Sequence, residues 1–341
     1  MSLREGLGFG RLSPQTQQAY RILSRAFEAY STEIDASSLP PNADIMGLAL
    51  TVLGDNPSIV YFDKTQIKST ASMFKKKYQL VGCQGRAQGA QLTAAVTQKA
   101  AEIAASIQRE TTDPYERIVK VYEYLQANVV YNRAELQACM KGGRSTDPST
   151  HNAYGALMKS SAVCDGFSSA FCLISQQLGF ECMSVNGKSS HRSAGFADHS
   201  WNIIKLNNRF YHLDVTWDTN QSKELGVSSF DYFLIDDDEI STDHEWDINS
   251  TPTCSYTDMN YYIRNGCYAN NMSQAESFIR NAISTRTNPV RIKMSQSVAL
   301  SDKPDETLAH LVVDTLINSG KDAQINYSWN EKTRCFFAVY A

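Results

Sequence analysis

The chain has 341 residues, is 42% apolar and 20% charged, and carries 32 Lys and Arg against 36 Asp and Glu, a formal net charge of -4. That length supports a substantial core divided into two or three units, at about 100–200 residues per unit, and the balance excludes a fibrous or disordered chain. With no basic cluster interleaved with aromatics and no zinc-finger spacing, nucleic acid is excluded as a partner.

No window reaches the roughly 18 apolar residues needed to span a bilayer, so no membrane span is expected. The opening Met1-Ser2-Leu3-Arg4-Glu5-Gly6 lacks the basic stretch and apolar run of a signal peptide. A leader removed ahead of it would leave the same opening, so secretion or a cell-surface location stays open for a chain expected to be soluble. The eight cysteines, Cys83, Cys139, Cys164, Cys172, Cys182, Cys254, Cys267 and Cys335, contain no C-x-x-C pair. In a chain of this length they do not resemble a disulfide framework.

In chain order, residues 14–29 predict a helix with Tyr20, Leu23, Ala26 and Phe27 on one stripe. After Pro40-Pro41 a second helix is expected over 43–53, then a turn at Gly54-Asp55-Asn56-Pro57 leading into Ile59-Val60-Tyr61-Phe62. Lys75-Lys76-Lys77 reads as a solvated face or turn. A Gln- and Ala-rich stretch over 84–109 gains helical propensity from Leu92 onward. Asp113-Pro114-Tyr115-Glu116 supplies an N-cap acceptor, Pro at the first helical position and Glu at N3. The helix it opens carries Ile118, Val121, Tyr122 and Leu125 on one face and ends near Asn128. Residues 141–150, rich in Gly, Ser, Thr and Pro, predict a loop that borders a cleft or is merely exposed.

Downstream of Cys164, the residues Phe167, Ala170, Phe171, Ile174 and Leu178 recur at helical spacing and Gly179 supplies the stop. Cys164 therefore stands at or just before a helix N-terminus. Unpaired N–H groups there stabilise a thiolate against the usual thiol pKa of about 8.5, and they offer a donor to an oxyanion. Cys172, near the apolar stripe, and Cys182, opening the next strand, read as core cysteines.

Residues 199–206 and 209–217 are strand-like runs flanking Asn207-Asn208, a pair that tolerates the left-handed angles of a tight turn. If those two residues form the loop, Leu206 faces Arg209, Trp201 faces Asp214 and His199 faces Thr216. His199 and Asp214 then become diagonal neighbours on one sheet face, roughly 5–8 Å apart at Cβ. In that position the carboxylate would hold the imidazole tautomer and aim its other nitrogen at sulfur. His212 shares the face and is the rival base; His199 is preferred because it lies at the open end of the hairpin. Trp201 either shields the His–Asp contact, walls a cleft or packs the core. His151, His191, His244 and His310 have no comparable geometric case. Cys164, His199, His212 and Asp214 are chemically competent zinc ligands, but no C-x-x-C or H-E-x-x-H element fixes two of them on one scaffold, so no metal is expected.

After Asp218 the chain passes Gly226 and Ser228-Ser229 to Phe230-Asp231-Tyr232-Phe233-Leu234 and the acidic run Asp236-Asp237-Asp238-Glu239. That run reads as solvated acid, with a helix start or a cation site as alternatives; it lacks the alternation of an EF-hand loop. Ser273-Gln274-Ala275-Glu276 predicts a capping box opening a helix with Phe278, Ile279, Ala282 and Ile283 on its apolar face. Val290 to Met294 alternates as a half-exposed strand, Leu308 to Ile317 is helical, and Arg334 to Tyr340 is an aromatic-rich strand. This last region shows no nucleophile and base, and is expected to pack against the core or present substrate to it.

Three segments carry a family resemblance: Ala162-Val163-Cys164-Asp165-Gly166-Phe167 with Gly179, His199-Ser200-Trp201-Asn202, and Phe210-Tyr211-His212-Leu213-Asp214-Val215-Thr216-Trp217-Asp218. They resemble the transglutaminase-like superfamily, especially its bacterial branch with a papain-like Cys-His-Asp core. Tyr232-Phe233-Leu234 and His244-Glu245-Trp246 extend the likeness, which runs from about Tyr115 to Trp246. The resemblance implies Cys164 as nucleophile, His199 as base and Asp214 as orienting carboxylate, with no cofactor. Phe167 stands where the family commonly has Tyr, Ser200 where it has Ala, and Asn132 after Tyr131 where it has Asp; the triad is untouched. No oxyanion side chain follows from the resemblance, and Tyr154, near the nucleophile in sequence, is a candidate.

The expected fold is α+β: a mainly helical region over 1–110, a papain-like or transglutaminase-like core over 111–250, and a small α/β accessory unit over 258–341. The family holds cross-linking enzymes, peptidases, amidases and members without demonstrated turnover. The implied function is a cysteine peptidase or amidohydrolase that cleaves a peptide or protein substrate through a thioester, with cell-surface or cell-wall peptides as one setting. A protein-glutamine transamidase and a non-catalytic peptide- or carbohydrate-binding module are the alternatives.

Overall fold

Leu7–Gly10 forms one helical turn, α1, and Ser13, whose hydroxyl accepts from Thr16 N–H, starts α2 at Pro14–Glu28. Tyr20, Leu23 and Phe27 are buried, packing in one cluster with Leu48, Ala49 and Val52 of α3, Ile45–Asp55. Helix α3 continues through Gly54 and Asp55, where the sequence predicts a turn. The reason is Asp55: it is buried, and its carboxylate accepts from the N–H of Gly8 and Phe9 and from Tyr20 OH, at 2.9, 2.9 and 3.0 Å. Strands β1 (Glu33–Asp35), β2 (Phe62–Ala71) and β3 (Lys76–Gly82) form a sheet in the order β1-β3-β2. Lys76 and Lys77 thus lie in a strand rather than a turn. Helix α4, Arg86–Glu110, is continuous over 25 residues and begins ahead of Leu92.

The computed structural model describes residues 3–35, 39–40, 44–71, 76–82, 85–142, 145–190 and 196–341. Pro41, Ala43, Lys75, Cys83 and His191, named above, lie outside the described residues.

Asp113 caps α5, Pro114–Asn128, by accepting from Tyr115 N–H at 2.9 Å, and Ile118, Val121, Tyr122 and Leu125 are buried as their spacing predicts. Next come β4 (Val130–Tyr131), α6 (Arg133–Gly142), a 3-10 turn at Pro148–His151, α7 (Ala153–Met158) and β5 (Ser161–Ala162), which pairs with β4 in parallel. Lys141 and Gly142 belong to α6, and Pro148 to Thr150 to the 3-10 turn, so the expected loop is shorter than its composition suggests.

Helix α8, Cys164–Gln177, is followed by Gly179 at φ +90°, the left-handed stop. Strands β6 (Cys182–Ser190), β7 (Phe196–Leu206) and β8 (Arg209–Leu213) precede α9 (Val215–Leu225), β9 (Phe233–Ile235), α10 (Asp237–Ile240) and β10 (His244–Glu245). The five strands form an antiparallel sheet in the order β10-β6-β7-β8-β9. Helix α8 is fastened to it by Asn202, whose amide donates to Ser168 O at 3.0 Å, and by Ser168, whose hydroxyl donates to Trp201 O at 2.9 Å. Phe167 and Phe171 on α8 are fully buried, with ring centroids 6.4 Å from those of Tyr131 and Tyr122, and each is worth roughly 1.5–3 kcal/mol.

The β7–β8 hairpin has the expected loop. Asn207 and Asn208 take φ of 52° and 61°, and the register runs from Leu206 opposite Arg209 to Asn202 opposite Leu213. It ends there. Asp214 leaves the ladder, bonding through its N–H to Tyr232 O at 3.0 Å, and the next residues coil into α9. The predicted pairs Trp201–Asp214 and His199–Thr216 therefore do not form; Trp201 and His199 are paired on the other side, with Val185 and Gly187 of β6.

The acidic run is not solvated acid. Asp236 caps α10, Asp237 bonds His212, and Glu239 pairs with the buried Lys293, leaving Asp238 exposed. Beyond it, α11 (Tyr261–Arg264), β11 (Tyr268–Ala269), α12 (Met272–Ser284), β12 (Val290–Met294), α13 (Pro304–Asn318), β13 (Ile325–Asn330) and β14 (Cys335–Tyr340) complete the chain. The sheet order is β11-β12-β14-β13, and Ile279, Ile283, Val312 and Leu316 pack with it in one apolar cluster. The cap of α12 lies two residues upstream of the predicted box: Asn271 accepts from Gln274 N–H and Gln274 accepts from Asn270 N–H, at 2.9 and 2.7 Å. Tyr262 OH donates to Asp231 at 2.8 Å and Arg291 donates to Ser228 O at 2.6 Å, joining this unit to the segment that follows α9.

The architecture is mixed α+β, with a helix-rich N-terminal region and a smaller C-terminal α+β unit. Among the described residues no helix is long and apolar enough to cross a membrane.

Candidate active site

Cys164 is the first residue of α8 and half-buried. Two residues on, Gly166 permits a close approach: a Cβ there would lie 2.3 Å from Thr150 O and 2.8 Å from Ala162 Cβ. The missing side chain lets the first turn of α8 seat against the 3-10 turn, where Val163 N–H also donates to Thr150 O at 3.1 Å.

His199, on β7, is 8% exposed, and its Nε2 lies 2.6 Å from Asp214 Oδ2. The Cys164 side chain lies close enough to the same ring to act on its charge. With Nε2 given to the carboxylate, Nδ1 is the nitrogen available to sulfur. Burial disfavours the imidazolium, but Asp214 and then Cys164 outweigh it and raise the His199 pKa to about 10. Burial alone would push Asp214 up; His199 and His244 hold it well below the usual carboxylate range. The other oxygen of Asp214 accepts from the N–H of Thr216 and Trp217 at 2.9 and 3.2 Å, so this residue is the N-cap of α9. The structure therefore brings Cys164, His199 and Asp214 together, with Asp214 arriving on a helix cap instead of a strand.

The rings around His199 are Trp201, Trp217 and His244, with centroids 6.1, 5.9 and 5.4 Å away. His244 has a geometric role that its sequence position conceals. Its Nε2 lies 3.2 Å from Asp214 Oδ2 and its Nδ1 lies 2.6 Å from Asp243 Oδ1. His212, the rival base, is turned elsewhere. Trp201 Nε1–H donates to its Nδ1 at 3.0 Å, so the ring proton is on Nε2, which donates to Asp237 at 2.8 Å. His310 is exposed on α13. Tyr131 was also missed: its phenol is raised in pKa by burial first, then by the charges of Cys164, Asp165 and Asp214, so it feels the field of the site. Tyr154 lies on α7, half-buried.

Asp165 connects Cys164 to a further polar cluster. Its Oδ1 accepts from Ser200 Oγ at 2.6 Å, and its Oδ2 meets Lys64 Nζ at 3.0 Å and His151 Nδ1 at 3.2 Å. Burial would raise this acid, but Lys64, His151 and Ser200 hold it well below the usual range. Ser200, one of the departures from the family text, thus has a partner. Beyond His151 lie Cys139 and Glu135 on α6. Burial opposes ionisation of Glu135, but hydrogen bonds from the 145–147 segment bring its pKa to about 2; burial and the adjacent Glu135 raise that of Cys139.

Three groups could hold a metal ion by proximity among the described residues: Glu135, Cys139 and His151; His199, Asp214 and His244; and His212, Asp237 and Cys254. In the last, the donors are already consumed by the Trp201–His212–Asp237 chain, and Asp237 Oδ2 accepts from Cys254 N–H at 3.0 Å. Cys172 and Cys182 are buried with sulfurs 2.9 Å apart, in the core as expected.

A family model described as the transglutaminase-like superfamily matches residues 101–215, a span containing Cys164, His199 and Asp214. No curated protein matches the chain. Among solved structures it is similar to a TGase crystal structure at 12% identity, covering 44% of each chain with a TM-score of 0.32. It is also similar to a proposed cysteine protease from Cytophaga hutchinsonii at 10% identity, covering 44% of this chain and 61% of that one, TM-score 0.27. A proposed protease from Parabacteroides distasonis is similar at 7% identity over 43% of this chain and 35% of that one, TM-score 0.26. The chain spans less than two thirds of the length of each. Over residues 101–215, the part that carries the buried polar site, the chain is homologous to the transglutaminase-like superfamily.

Proposed function

We propose that the chain is a thiol-dependent amide hydrolase acting on peptides through Cys164, His199 and Asp214. The observation that carries this reading is the position of His199, with Nε2 2.6 Å from Asp214 and its ring within electrostatic reach of a cysteine at the start of α8. A helix N-terminus favours the thiolate, and a buried carboxylate favours the imidazolium that pairs with it.

In this mechanism the Cys164 thiolate attacks the amide carbonyl carbon. The oxyanion that forms is met by N–H groups at the start of α8 and, we infer, by the Tyr131 phenol, which lies within electrostatic reach of Cys164. As the C–N bond breaks, His199 gives its proton to the departing amine nitrogen, and a thioester remains on sulfur. Neutral His199 then takes a proton from water as the water oxygen attacks the thioester. Collapse expels the Cys164 thiolate and releases the acid. The stretch 111–250 is the catalytic unit in this reading and 258–341 an accessory unit.

The test is labelling with a peptide vinyl electrophile under reducing conditions. Cys164 should react, the reaction should vanish in His199→Ala, and the buried Cys172 and Cys182 should stay unmodified. Cys164 reacting no faster than those two would overturn the reading. Digestion of a peptide library with and without a primary amine then reads the acceptor: new carboxyl termini mark hydrolysis, and amine adducts mark acyl transfer.

A further inference from the structure

A second set of coordinating atoms lies beside the Cys164 site and is not used by it. Glu135 and Cys139 stand one turn apart on α6, and His151 closes the 3-10 turn. Cys139 Sγ is 3.6 Å from Glu135 Oε1 and 3.7 Å from His151 Nε2, and those last two atoms are 3.4 Å apart. A tetrahedral zinc ion, with Zn–S of about 2.3 Å and bonds to nitrogen and oxygen of about 2.0–2.1 Å, holds sulfur roughly 3.5 Å from each lighter ligand and the lighter pair roughly 3.3–3.4 Å apart. The side chains already define that triangle.

We propose that Glu135, Cys139 and His151 form a binding site for a zinc-type transition-metal dication, with three protein ligands and a fourth position for water or another donor. The surroundings fit. His151 Nδ1 faces Asp165 Oδ2 at 3.2 Å, so the ring proton sits there and the Nε2 lone pair points into the triangle, the outer-shell carboxylate–imidazole arrangement of metal-binding histidines. Glu135 Oε2 is held by the Thr146 hydroxyl and by Asp147 N–H, and Thr146 N–H lies 3.1 Å from both carboxylate oxygens, which fixes the group with Oε1 turned to the other two ligands. Glu135 is 2% and His151 9% exposed. Within the triangle Sγ, Nε2 and Oε1 all carry lone pairs, and between the three side chains the thiol alone supplies a proton.

A dication resolves that shortage. Cys139 gives its proton to solvent and binds as thiolate, His151 binds through Nε2 and Glu135 through Oε1, and waters leave the hydrated ion. Thiolate and carboxylate together cancel the charge of the ion. The sulfur and nitrogen donors select zinc or cobalt over calcium and magnesium, which want oxygen alone. Because Asp165 follows Cys164, the ion ties α6 and the 3-10 turn to the start of α8.

The test uses the full chain, stripped of metal by chelation under reducing conditions, then titrated with Zn2+ alone or with Co2+ alone. About one equivalent of Zn2+ per chain should be retained. The cobalt form should show a thiolate-to-metal charge-transfer band that persists in Cys164→Ser and is lost in Cys139→Ser. Since Cys139→Ser could fold poorly, alkylation of the unaltered protein gives a second readout: Zn2+ should protect Cys139 from iodoacetamide, read by peptide mass spectrometry, and leave Cys164 reactive. A band that survives Cys139→Ser or disappears with Cys164→Ser overturns the site, as does alkylation of Cys139 indifferent to Zn2+. Absence of uptake would assign the triangle to an imidazolium bridging Glu135 and Asp165.

Discussion

Asp214 reaches His199 from a helix cap: Oδ1 accepts the N–H groups of Thr216 and Trp217, while Oδ2 lies 2.6 Å from His199 Nε2. One carboxylate thus starts α9 and orients the imidazole, and substitutions should separate the two roles. Asp214→Asn keeps an oxygen for the cap but loses the charge that pairs with the buried imidazolium, so it should lose about 3–5 kcal/mol of stability while kcat/KM falls about 10²–10⁴-fold. Asp214→Ala loses the charge and the cap together, about 1 kcal/mol more than Asp214→Asn. Denaturant midpoints of the two variants provide the comparison; equal losses would remove the distinction between capping and orienting.

The pH dependence follows from the same pair. His199 is raised to about 10 in the fold, so its contribution to stability is complete below its unfolded value of about 6.5 and is lost as pH rises through about 10. Asp214 is lowered, so its contribution is present above about 3.9 and disappears as pH falls through its folded value. Turnover needs the imidazolium proton for the leaving amine, which places the alkaline limb of kcat/KM near pH 10. A limb near the unperturbed histidine value would mean that Asp214 does not act on His199 during the reaction.

The hairpin turn was legible because adjacent asparagines between strand-like runs have few other uses, and both adopt positive φ. The end of the strand was not. Val215-Thr216-Trp217 has strand propensity, and what overrides it is tertiary: Tyr122 OH bridges Asp214 O and Asp218 Oδ2, at 2.8 and 2.6 Å, and Asp218 also accepts from Ser229, Asp231 and Tyr232. His244 meets Asp214 from 30 residues away, a pairing that no local pattern encodes. The Glu135–Cys139–His151 triangle was within reach. Asn132 accepts from Glu135 N–H as a helix cap, and recognising that Asn-x-x-Glu start would have put Glu135 and Cys139 on one helix face.

Gly166→Ala tests the seat of the nucleophile. The new methyl would lie 2.3 Å from Thr150 O and 2.8 Å from Ala162 Cβ. Neither is the end of a flexible side chain, so the first turn of α8 must move. Overpacking of this kind costs about 1–3 kcal/mol, and a shift of about 1 Å between Cys164 and His199 lowers turnover about 100-fold. Thermal melting with electrophile labelling of Cys164 measures both effects. Unchanged labelling alongside a lower melting point would mean that the helix gives way somewhere other than at Cys164.

His244 shares Asp214 Oδ2 with His199 and is itself held by Asp243, whose other oxygen accepts from Tyr232 OH at 2.7 Å. It touches no reacting atom in the proposed mechanism and acts as a positioning residue through Asp214. Its hydrogen bond helps lower the Asp214 pKa. Removing that bond, as in His244→Phe, concentrates the carboxylate's charge on His199 and should move the alkaline limb of kcat/KM to higher pH. The more basic imidazolium is a poorer donor to the leaving amine, so kcat should fall about tenfold with KM little changed. Gln at 244 can still donate an N–H to Oδ2, and His244→Gln should return the limb toward its original position. A loss of activity in both variants without any movement of the limb would assign His244 to packing against Trp201 and Trp217, whose rings lie 4.9 and 4.7 Å from its own.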